Sequence, residues 1–322
     1  MATASRQAGD RLDHPALLYA DPDELLEAMV PYVTDGLDRG EVVLVAARGD
    51  NLAALRWASG PRAARVRWLD SDRWHPHPGS RLRAFHELVS NGRGSGATRF
   101  RLAGEPLWPP GQPELVREWQ RYESALNAVL APFPVSLLCL YDAARLDGSV
   151  LNSACRTHPR VRRRDGERAC GEFEPPQEFL RRSNPELAQP PPWAARLPAA
   201  GDPADARRFV REQALGAGVP PERAADLCVA ANEVVTNALV HGGGAATLLA
   251  WTHDGRFVCQ IEDAGRGIPD PLAGYRPPAG EATGGYGLWL ARQLVDLLQI
   301  GPRPTGLPGT AVRLQTARTA PR

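Results

Sequence analysis

The chain has 322 residues and a formal net charge of +1 at pH 7. This length allows two domains of ordinary size, and so small a net charge provides no field that favours nucleic acid or an anionic membrane. All 38 basic residues are arginine. The absence of lysine excludes a Walker A phosphate loop, the usual protein kinase site and Schiff-base chemistry, because each of these needs a lysine.

The amino-terminal segment and the cysteines limit location and chemistry further. The first 15 residues contain no apolar segment of signal-peptide length, and no stretch approaches the roughly 20 apolar residues of a membrane span. We therefore expect a soluble, cytoplasmic protein with no direct contact to nucleic acid or membrane. The five cysteines are scattered and form no C-x-x-C pair, which argues against a disulfide framework or a zinc ribbon. Two residue pairs have the spacing of metal ligands, Cys155 with His158 and His75 with His77. Neither has a second pair of ligand residues nearby, so the spacing predicts no structural metal site.

From residue 15 to residue 159 the sequence alternates helical and strand-like stretches. Apolar residues at helical spacing predict a helix within Asp21–Gly40, and the β-branched run Glu41–Ala47 follows it as a strand buried on both faces. A further helix is predicted around Pro113–Leu130, and Pro134–Asp142 has the pattern of another buried strand. Strands that alternate with helices predict an α/β layer with a parallel sheet.

Residues 160–203 lose this alternation. The stretch begins with a run of arginines and continues with a segment rich in proline and alanine. Such composition predicts a semi-rigid, extended and solvated linker, and the arginine run is alternatively a contact for acidic partners.

After residue 204 the sequence again has the patterns of helices and strands. The pattern predicts a helix over Arg207–Leu215 and a longer one over Pro220–Val240. Two strands then form a hairpin at Asp254-Gly255, a strong turn signal. A helix is predicted over Leu288–Ile300, and a last strand begins at Thr310.

The longer helix carries two polar residues on an apolar face. Glu233 and Asn237 are four residues apart and therefore lie one helical turn from each other. They need polar partners at that spot. The partners are either a metal and a ligand, or simply each other in a buried hydrogen-bonded pair.

Three further motifs follow Glu233 and Asn237 along the chain. A strand ends at Asp263, before Gly265 and Gly267; Gly284, Gly285 and Gly287 lead into a helix; and Thr310 opens the last strand. An aspartate beside glycines can accept the exocyclic amine of a purine, and glycines before a helix present backbone N–H groups to phosphate. An Asn oxygen can ligate Mg²⁺, and a carboxylate one turn away can act as a general base. Each signal alone is typical of an ordinary turn or cap, and their order makes the set specific.

These motifs resemble the GHKL (Bergerat-fold) ATPases, from about Asp205 to Thr316. The resemblance implies an α+β domain with helices over one face of a mixed sheet, ATP and Mg²⁺ as ligands, Glu233 as general base, Asn237 as the Mg²⁺ ligand and Asp263 as the adenine anchor. The remaining nucleotide contacts that it implies are Gly265, Gly267, Gly285, Gly287, Leu288 and Thr310.

The short segment between the two glycine motifs is similar to that of RsbW-type anti-sigma factor serine kinases. The resemblance implies phosphorylation of a serine on a STAS-type anti-anti-sigma protein, contact with a sigma factor, and pairing into a homodimer. Family kinases carry an arginine just before the second glycine motif, where this chain has Ala282, Thr283 and Gly284. Phosphotransfer would then need a cation from Arg266, Arg276 or Arg292. The alternative is a non-catalytic ATP-binding module that sequesters a sigma factor or its antagonist. A histidine kinase is disfavoured because no long amphipathic helix pair follows His158.

The first domain resembles the MEDS sensory domain over nearly its whole length, on LYADPDELLEAM, RLAGEPLWP, WQRYESALN, LLCLYD and ACRTHP. The resemblance implies a RecA- or KaiC-like parallel sheet that senses a small molecule. Residues 46–51 stand at the position of a phosphate loop but have neither its lysine nor its glycine spacing, so we predict that this domain does not bind ATP. Tyr122 stands where many relatives have His. Because ligand pockets lie at the carboxyl ends of such strands, the predicted pocket residues are Glu105, Trp108, Tyr122, Cys139, Tyr141 and Asp142.

The predicted organisation is therefore a sensory domain over residues 1–159, a linker over 160–203 and an ATP-binding domain over 204–322. Its predicted function is that of a signal-responsive anti-sigma regulator.

Overall fold

The computed structural model describes residues 11–277, 285–304 and 306–318. The chain divides into two compact units. The first takes in the residues up to Pro76 and Arg81–Phe179, and the second takes in His77–Ser80 and the residues from Leu180 onward. Ala282, Thr283 and Gly284, where the sequence departs from family kinases, lie outside the described residues.

The first unit is built on one sheet of seven strands. They are β1 (Pro15–Tyr19), β2 (Val42–Ala47), β3 (Arg67–Asp70), β4 (Phe100–Gly104), β5 (Val135–Asp142), β6 (Arg160–Arg163) and β7 (Gly166–Ala169). The strand order is β3-β2-β4-β5-β1-β6-β7, and every pairing is parallel except that of β6 with β7. This mostly parallel α/β sheet confirms the predicted fold class.

Helices connect the parallel strands. They are α1 (Pro22–Asp38), α2 (Gly49–Ala58), a short 3₁₀ helix (Gly60–Arg65), α3 (Pro78–Gly94), α4 (Pro113–Val129) and α5 (Gly148–Thr157). Local sequence explains where α1 begins, because the Asp21 side chain accepts a hydrogen bond from Glu24 N (2.9 Å) and the Glu24 carboxylate accepts one from Ala20 N (2.8 Å). This reciprocal arrangement is a capping box. The apolar face of α1 packs with β1, β2 and β5 in a common core, whose members include Leu17, Leu25, Met29, Val45 and Leu138.

The predicted linker contains more regular structure than its composition suggests. Its arginine run forms the β6–β7 hairpin at the edge of the first sheet, and a short helix, α6 (Pro176–Arg182), and strand β8 (Ala195–Ala200) follow. Arg160 and Arg162 both form ion pairs with Glu167 on the facing strand. Arg160 and Arg162 are therefore paired within a hairpin. Charge composition alone does not indicate such a pairing partner.

The second unit has helices over one face of a five-stranded sheet. Its further elements are α7 (Pro203–Gly216), α8 (Pro221–His241), β9 (Ala246–His253), β10 (Arg256–Glu262), α9 (Tyr286–Leu294), β11 (Leu297–Pro302) and β12 (Thr310–Ala317). The strand order is β11-β12-β10-β9-β8. Residues of α7, α8 and α9 share one core with the covered face of the sheet, including Val210, Val234, Ala291, Phe257 and Leu314.

Two details of this unit differ from the predictions. All four strand pairings are antiparallel, where a mixed sheet was expected. The helix predicted over Leu288–Ile300 ends at Leu294, and its last third is strand β11, where Ile300 faces Val312 of β12. The apolar run after Leu294 suits a helix or a buried strand equally. Pairing with β12 decides between the two.

None of the helices in the described ranges is both long enough and apolar enough to span a membrane.

Candidate functional site

The Glu233 and Asn237 side chains, the α8 pair, lie under the first turn of α9. Both residues are half-buried on α8, beside the buried Val234 and Ala238. A Cβ atom at Gly287 would lie 3.1 Å from Glu233 Oε2 and 3.0 Å from Asn237 Nδ2. The backbone of α9 can therefore cross the α8 pair this closely because residue 287 has no side chain.

Asp263 organises the turn after β10. Its Oδ1 accepts hydrogen bonds from Gly265 N (2.8 Å) and Thr310 N (3.3 Å), and its own N–H donates to the Thr310 carbonyl (3.0 Å). The hydrogen bonds between described residues thus use Oδ1, which leaves Oδ2 to accept from a ligand. Gly309 (φ +130°) lets the start of β12 approach, because a Cβ there would lie 1.8 Å from the Asp263 carbonyl oxygen.

The start of α9 is a glycine turn that exposes backbone donors. Gly285 is the N-cap residue, with a left-handed φ of +98°, and no side chain caps the helix. The first backbone N–H groups of a helix have no intrahelical partner and carry the positive end of its dipole. This end of α9 is therefore suited to bind an anion such as phosphate.

A cavity of about 370 Å³ lies between α8, the Asp263 turn and the start of α9. That volume is within the range of small-molecule sites. Seven of the nine predicted nucleotide-site residues line it: Asn237, Asp263, Gly265, Gly267, Gly285, Leu288 and Thr310. Glu233 and Gly287 are not among the lining residues and lie beside it at the α8 pair. The remaining walls are mainly apolar, with Val234, Ala238, Ile268, Leu272 and Val312 among them.

The three candidate arginines occupy different environments. Arg266 and Arg276 are exposed and line the cavity. Arg292 is buried, and its guanidinium lies 3.8 Å from the centre of the Tyr275 ring and donates to the Leu298 carbonyl (3.1 Å). Arg292 therefore serves the core of the unit. The cation that a γ-phosphate needs is left, among the described residues of the cavity, to Arg266 or Arg276.

A second cavity, of about 240 Å³, lies at the carboxyl ends of β2, β4 and β5 in the first unit. Three of the six predicted pocket residues line it: Glu105, Trp108 and Asp142. The other three, Tyr122, Cys139 and Tyr141, are buried and do not line it. The Tyr141 ring is nevertheless packed behind the pocket, with its centre 5.6 Å from that of Trp108.

Glu105 is the most constrained group of this second cavity. Its carboxylate accepts hydrogen bonds from Arg48 N (2.8 Å), Asn51 Nδ2 (3.2 Å) and Tyr19 Oη (3.5 Å). Burial raises the pKa of Glu105 above its ordinary value, against the opposing effect of the Arg48 and Asn51 hydrogen bonds. The result is a partly desolvated acceptor held in a fixed orientation at the wall of a small polar cavity.

Sequence reasoning missed one group of buried polar residues. His14, Glu123, Cys139 and His158 come together in the first unit. The sequence places Cys139 in the predicted sensory pocket, and it draws attention to His158 only through its spacing from Cys155 and the argument against a histidine kinase. The four are spread over almost the whole unit, so no local spacing signal links them.

Two parts of the chain match known protein families. Residues 13–159 match the MEDS domain, described as the MEthanogen/methylotroph, DcmR Sensory domain. Residues 198–316 match the histidine kinase-like ATPase domain. A search among curated proteins found no match.

Two solved structures are similar over less than half of the chain. The RsbU and RsbW domains of Rv1364c from Mycobacterium tuberculosis have 22% identity and a TM-score of 0.28, over 41% of this chain and 34% of that one. The histidine kinase domain of the E. coli osmosensor EnvZ has 20% identity and a TM-score of 0.24, over 42% of this chain and 93% of that one. This chain thus spans about a third of the first structure's length.

Both profile matches agree with the two folds described above. The chain therefore carries, in this order, a MEDS domain over residues 13–159 and a histidine kinase-like ATPase domain over residues 198–316.

Proposed function

We propose that the second domain binds Mg²⁺–ATP in the cavity between α8, the Asp263 turn and α9. The observation that carries this proposal is the convergence of seven predicted contact residues on one cavity of ligand size. The described residues fit a nucleotide, because Gly265, Gly287 and Gly309 each keep a Cβ out of a close backbone approach around the site.

The binding roles follow from the donor and acceptor chemistry of each residue. Asp263 accepts the exocyclic amine of adenine at Oδ2, while its Oδ1 stays bound to the Gly265 and Thr310 backbone. The N–H groups at the start of α9 and the turn at Gly267 bind the phosphates. The Asn237 oxygen ligates Mg²⁺, which prefers oxygen ligands and neutralises phosphate charge.

We further propose that the domain transfers the γ-phosphoryl group to a serine of a STAS-type anti-anti-sigma protein. In this reaction the serine Oγ forms a bond to the γ-phosphorus, the bond from that phosphorus to the bridging oxygen breaks, and ADP leaves. Glu233 accepts the serine proton as general base, and Arg266 or Arg276 stabilises the charge on the transferred group. The family match supports ATP use, and the choice of serine is our proposal.

The first domain then supplies the signal. Its profile description is that of a sensory domain, and the cavity lined by Glu105, Trp108 and Asp142 is the site we propose for a small molecule. A polar, partly desolvated carboxylate beside an indole ring suits a small ligand with a hydrogen-bond donor and an apolar part. The chain would thus couple ligand binding to the availability of a sigma factor or its antagonist.

One observation favours a second candidate function, a non-catalytic ATP-binding module that sequesters its partner. Glu233 is not among the residues that line the cavity, and its carboxylate lies close to Gly287 at the start of α9. The two functions therefore differ in whether Glu233 matters for more than packing.

The binding proposal is tested by thermal unfolding with and without Mg²⁺–ATP. A ligand at 100 times its Kd stabilises the folded domain by about 2.7 kcal/mol, which corresponds to a rise of roughly 10 °C in the Tm of a domain of this size. We expect this rise in the wild type and its loss in Asn237→Ala. Thr236→Ala, at an exposed position of the same helix, is the matched control and should keep the rise. The absence of any shift in wild-type protein would remove the basis of the proposal.

The transfer proposal is tested with radiolabelled ATP and a STAS-type acceptor. Glu233→Gln should bind Mg²⁺–ATP with a normal Tm shift and lose transfer, whereas Glu222→Gln, exposed at the first turn of α8, should retain both. Transfer by Glu233→Gln at the wild-type rate would disprove its role as base. Binding without transfer in the wild type would favour the sequestering module.

A further inference from the structure

Four buried side chains of the first domain direct metal-ligating atoms at one point. His14 precedes β1, Glu123 lies on α4, Cys139 lies on β5 and His158 caps the end of α5. None is more than 2% exposed. Their ligand atoms all lie within 4.8 Å of one another, with His14 Nε2 at 3.2 Å from Cys139 Sγ and His158 Nε2 at 3.1 Å from Glu123 Oε2.

Hydrogen bonds behind the two imidazoles set their orientation. His158 Nδ1 lies 3.0 Å from the Ala154 carbonyl, which can only accept, so Nδ1 carries the proton. His14 Nδ1 lies 3.0 Å from Asn127 Oδ1, and the Asn127 amide is itself oriented by donating to the Thr157 carbonyl (2.7 Å). Both rings thus place a bare Nε2 lone pair at the centre. Metal-binding histidines are typically oriented in this way by a second hydrogen bond.

Without a cation this arrangement is costly. Neither carboxylate oxygen of Glu123 accepts a hydrogen bond of normal geometry from a described residue, and the atoms around it are two imidazole lone pairs and a thiol. Burying such a group of acceptors with few protons between them costs several kcal/mol.

We propose that His14, Glu123, Cys139 and His158 bind one divalent transition-metal ion, with Zn²⁺ the preferred occupant. Imidazole nitrogen, carboxylate oxygen and thiolate are all zinc ligands, and bonds of about 2.0–2.3 Å in a tetrahedron separate the ligand atoms by roughly 3.3–3.8 Å. Three of the six pairs of ligand atoms lie 3.1–3.8 Å apart, and all six lie within 4.8 Å. The carboxylate and thiolate together neutralise the dication, which removes the unpaired charge described above.

The site is of the closed kind, because the chain itself supplies four ligands. The metal would link the start of β1, the middle of β5, α4 and the end of α5, four segments that are distant in sequence. Loss of the metal should therefore destabilise the first domain as a whole. This inference concerns the first domain alone and holds whether or not the second domain binds ATP.

The direct test is the metal content of the full chain, purified under reducing conditions without a metal-affinity tag and analysed by mass spectrometry of the elements. We expect about one zinc per chain in the wild type and little in Cys139→Ser and Glu123→Gln. Cys259→Ser replaces another fully buried cysteine in the second domain and should keep the metal, as should His86→Gln in the first. Equal metal in the wild type and both ligand variants would overturn the assignment.

Cobalt substitution tests the site in wild-type protein, and its result therefore does not depend on whether the ligand variants fold. Co²⁺ added to wild-type protein stripped with a chelator should give the intense thiolate charge-transfer absorption and the visible bands of a tetrahedral site, and Zn²⁺ should displace it. Asn127→Ala keeps all four ligands and should weaken Zn²⁺ binding by about 10- to 100-fold, as loss of a supporting hydrogen bond typically does. The site would be refuted if the metal-free wild type stays folded, shows no cobalt absorption and has a Tm that Zn²⁺ does not raise. A different metal on the same four ligands would support the site and change the ion.

Discussion

Gly309→Ala should destabilise the second domain far more than an ordinary glycine substitution. The new Cβ would lie 1.8 Å from the Asp263 carbonyl oxygen, where ordinary contact begins at 3.4 Å, so backbone must move by about 1.6 Å. Such a movement breaks the bonds from Asp263 N to Thr310 O (3.0 Å) and from Thr310 N to Asp263 Oδ1 (3.3 Å). Two lost hydrogen bonds at about 1 kcal/mol each, together with 1–3 kcal/mol for a strained positive φ, give an expected loss of about 3–5 kcal/mol.

Gly306→Ala is the matched control in the same loop. Gly306 also has a positive φ, of +72°, but a Cβ there meets nothing within 4 Å. Its substitution costs only the left-handed conformation, about 1–2 kcal/mol. The difference between the two variants therefore reports the close approach at Asp263 together with the less favourable φ of residue 309.

The assay is urea unfolding followed by circular dichroism, together with hydrogen-exchange mass spectrometry of peptides from β10 and β12. The exchange measurement follows the second domain separately from the first. Gly309→Ala should lower the free energy of unfolding in those strands by about 2–3 kcal/mol more than Gly306→Ala, from the sums of hydrogen-bond and strain terms above. Equal effects would show that the Asp263 turn does not depend on the absence of a side chain at position 309.

Three other perturbations have expected outcomes. Gly287→Ala places a Cβ 3.0 Å from Asn237 Nδ2 and 3.1 Å from Glu233 Oε2. Because these atoms are the ends of side chains that can turn aside, we expect the domain to fold, while the displaced α8 pair should reduce the Tm shift with Mg²⁺–ATP; an undiminished shift would contradict the proposed site. Glu41→Ala breaks a buried ion pair with Arg101 (2.5 Å) and should cost about 3 kcal/mol in urea unfolding, whereas Asp38→Ala, in an exposed pair, should cost less than about 1 kcal/mol. The raised pKa of Glu105 means that the folded chain holds this proton more tightly than the unfolded chain, whose carboxyl has the ordinary value of 4.5; stability relative to Glu105→Gln should therefore fall as the pH rises above about 4.5 through the folded pKa. Parallel Tm curves for wild type and Glu105→Gln between about pH 4 and pH 8 would contradict that assignment.

The elements of both domains were largely predictable because their signals are local. The α1, α4 and α8 helices begin and end close to the predicted bounds, since caps, prolines and apolar spacing act within one or two turns. The hairpin of β9 and β10 turns at Asp254 and Gly255, both with positive φ, as this dipeptide predicts. The buried run of β5 was equally clear.

The misassigned segments share one cause. The arginine run that forms the β6–β7 hairpin and the apolar run that forms β11 take their conformation from partners elsewhere in the chain. Arg292 shows the same effect in a side chain, because only the packing of Tyr275 against it reveals that it serves the core. Local patterns cannot weigh such contacts.

What the sequence alone determined is the order of the two domains, the fold class of each and seven of the residues that line the cavity of the second domain. Motifs such as Glu233-x-x-x-Asn237 and Asp263-x-Gly265 are short, so their geometry is set by the residues themselves. Only the tertiary structure decided that Arg266 and Arg276, and not Arg292, face that cavity. It alone also brought together the four buried ligand residues of the first domain. Residues more than a hundred positions apart meet through strand order and helix packing, and these depend on the whole chain.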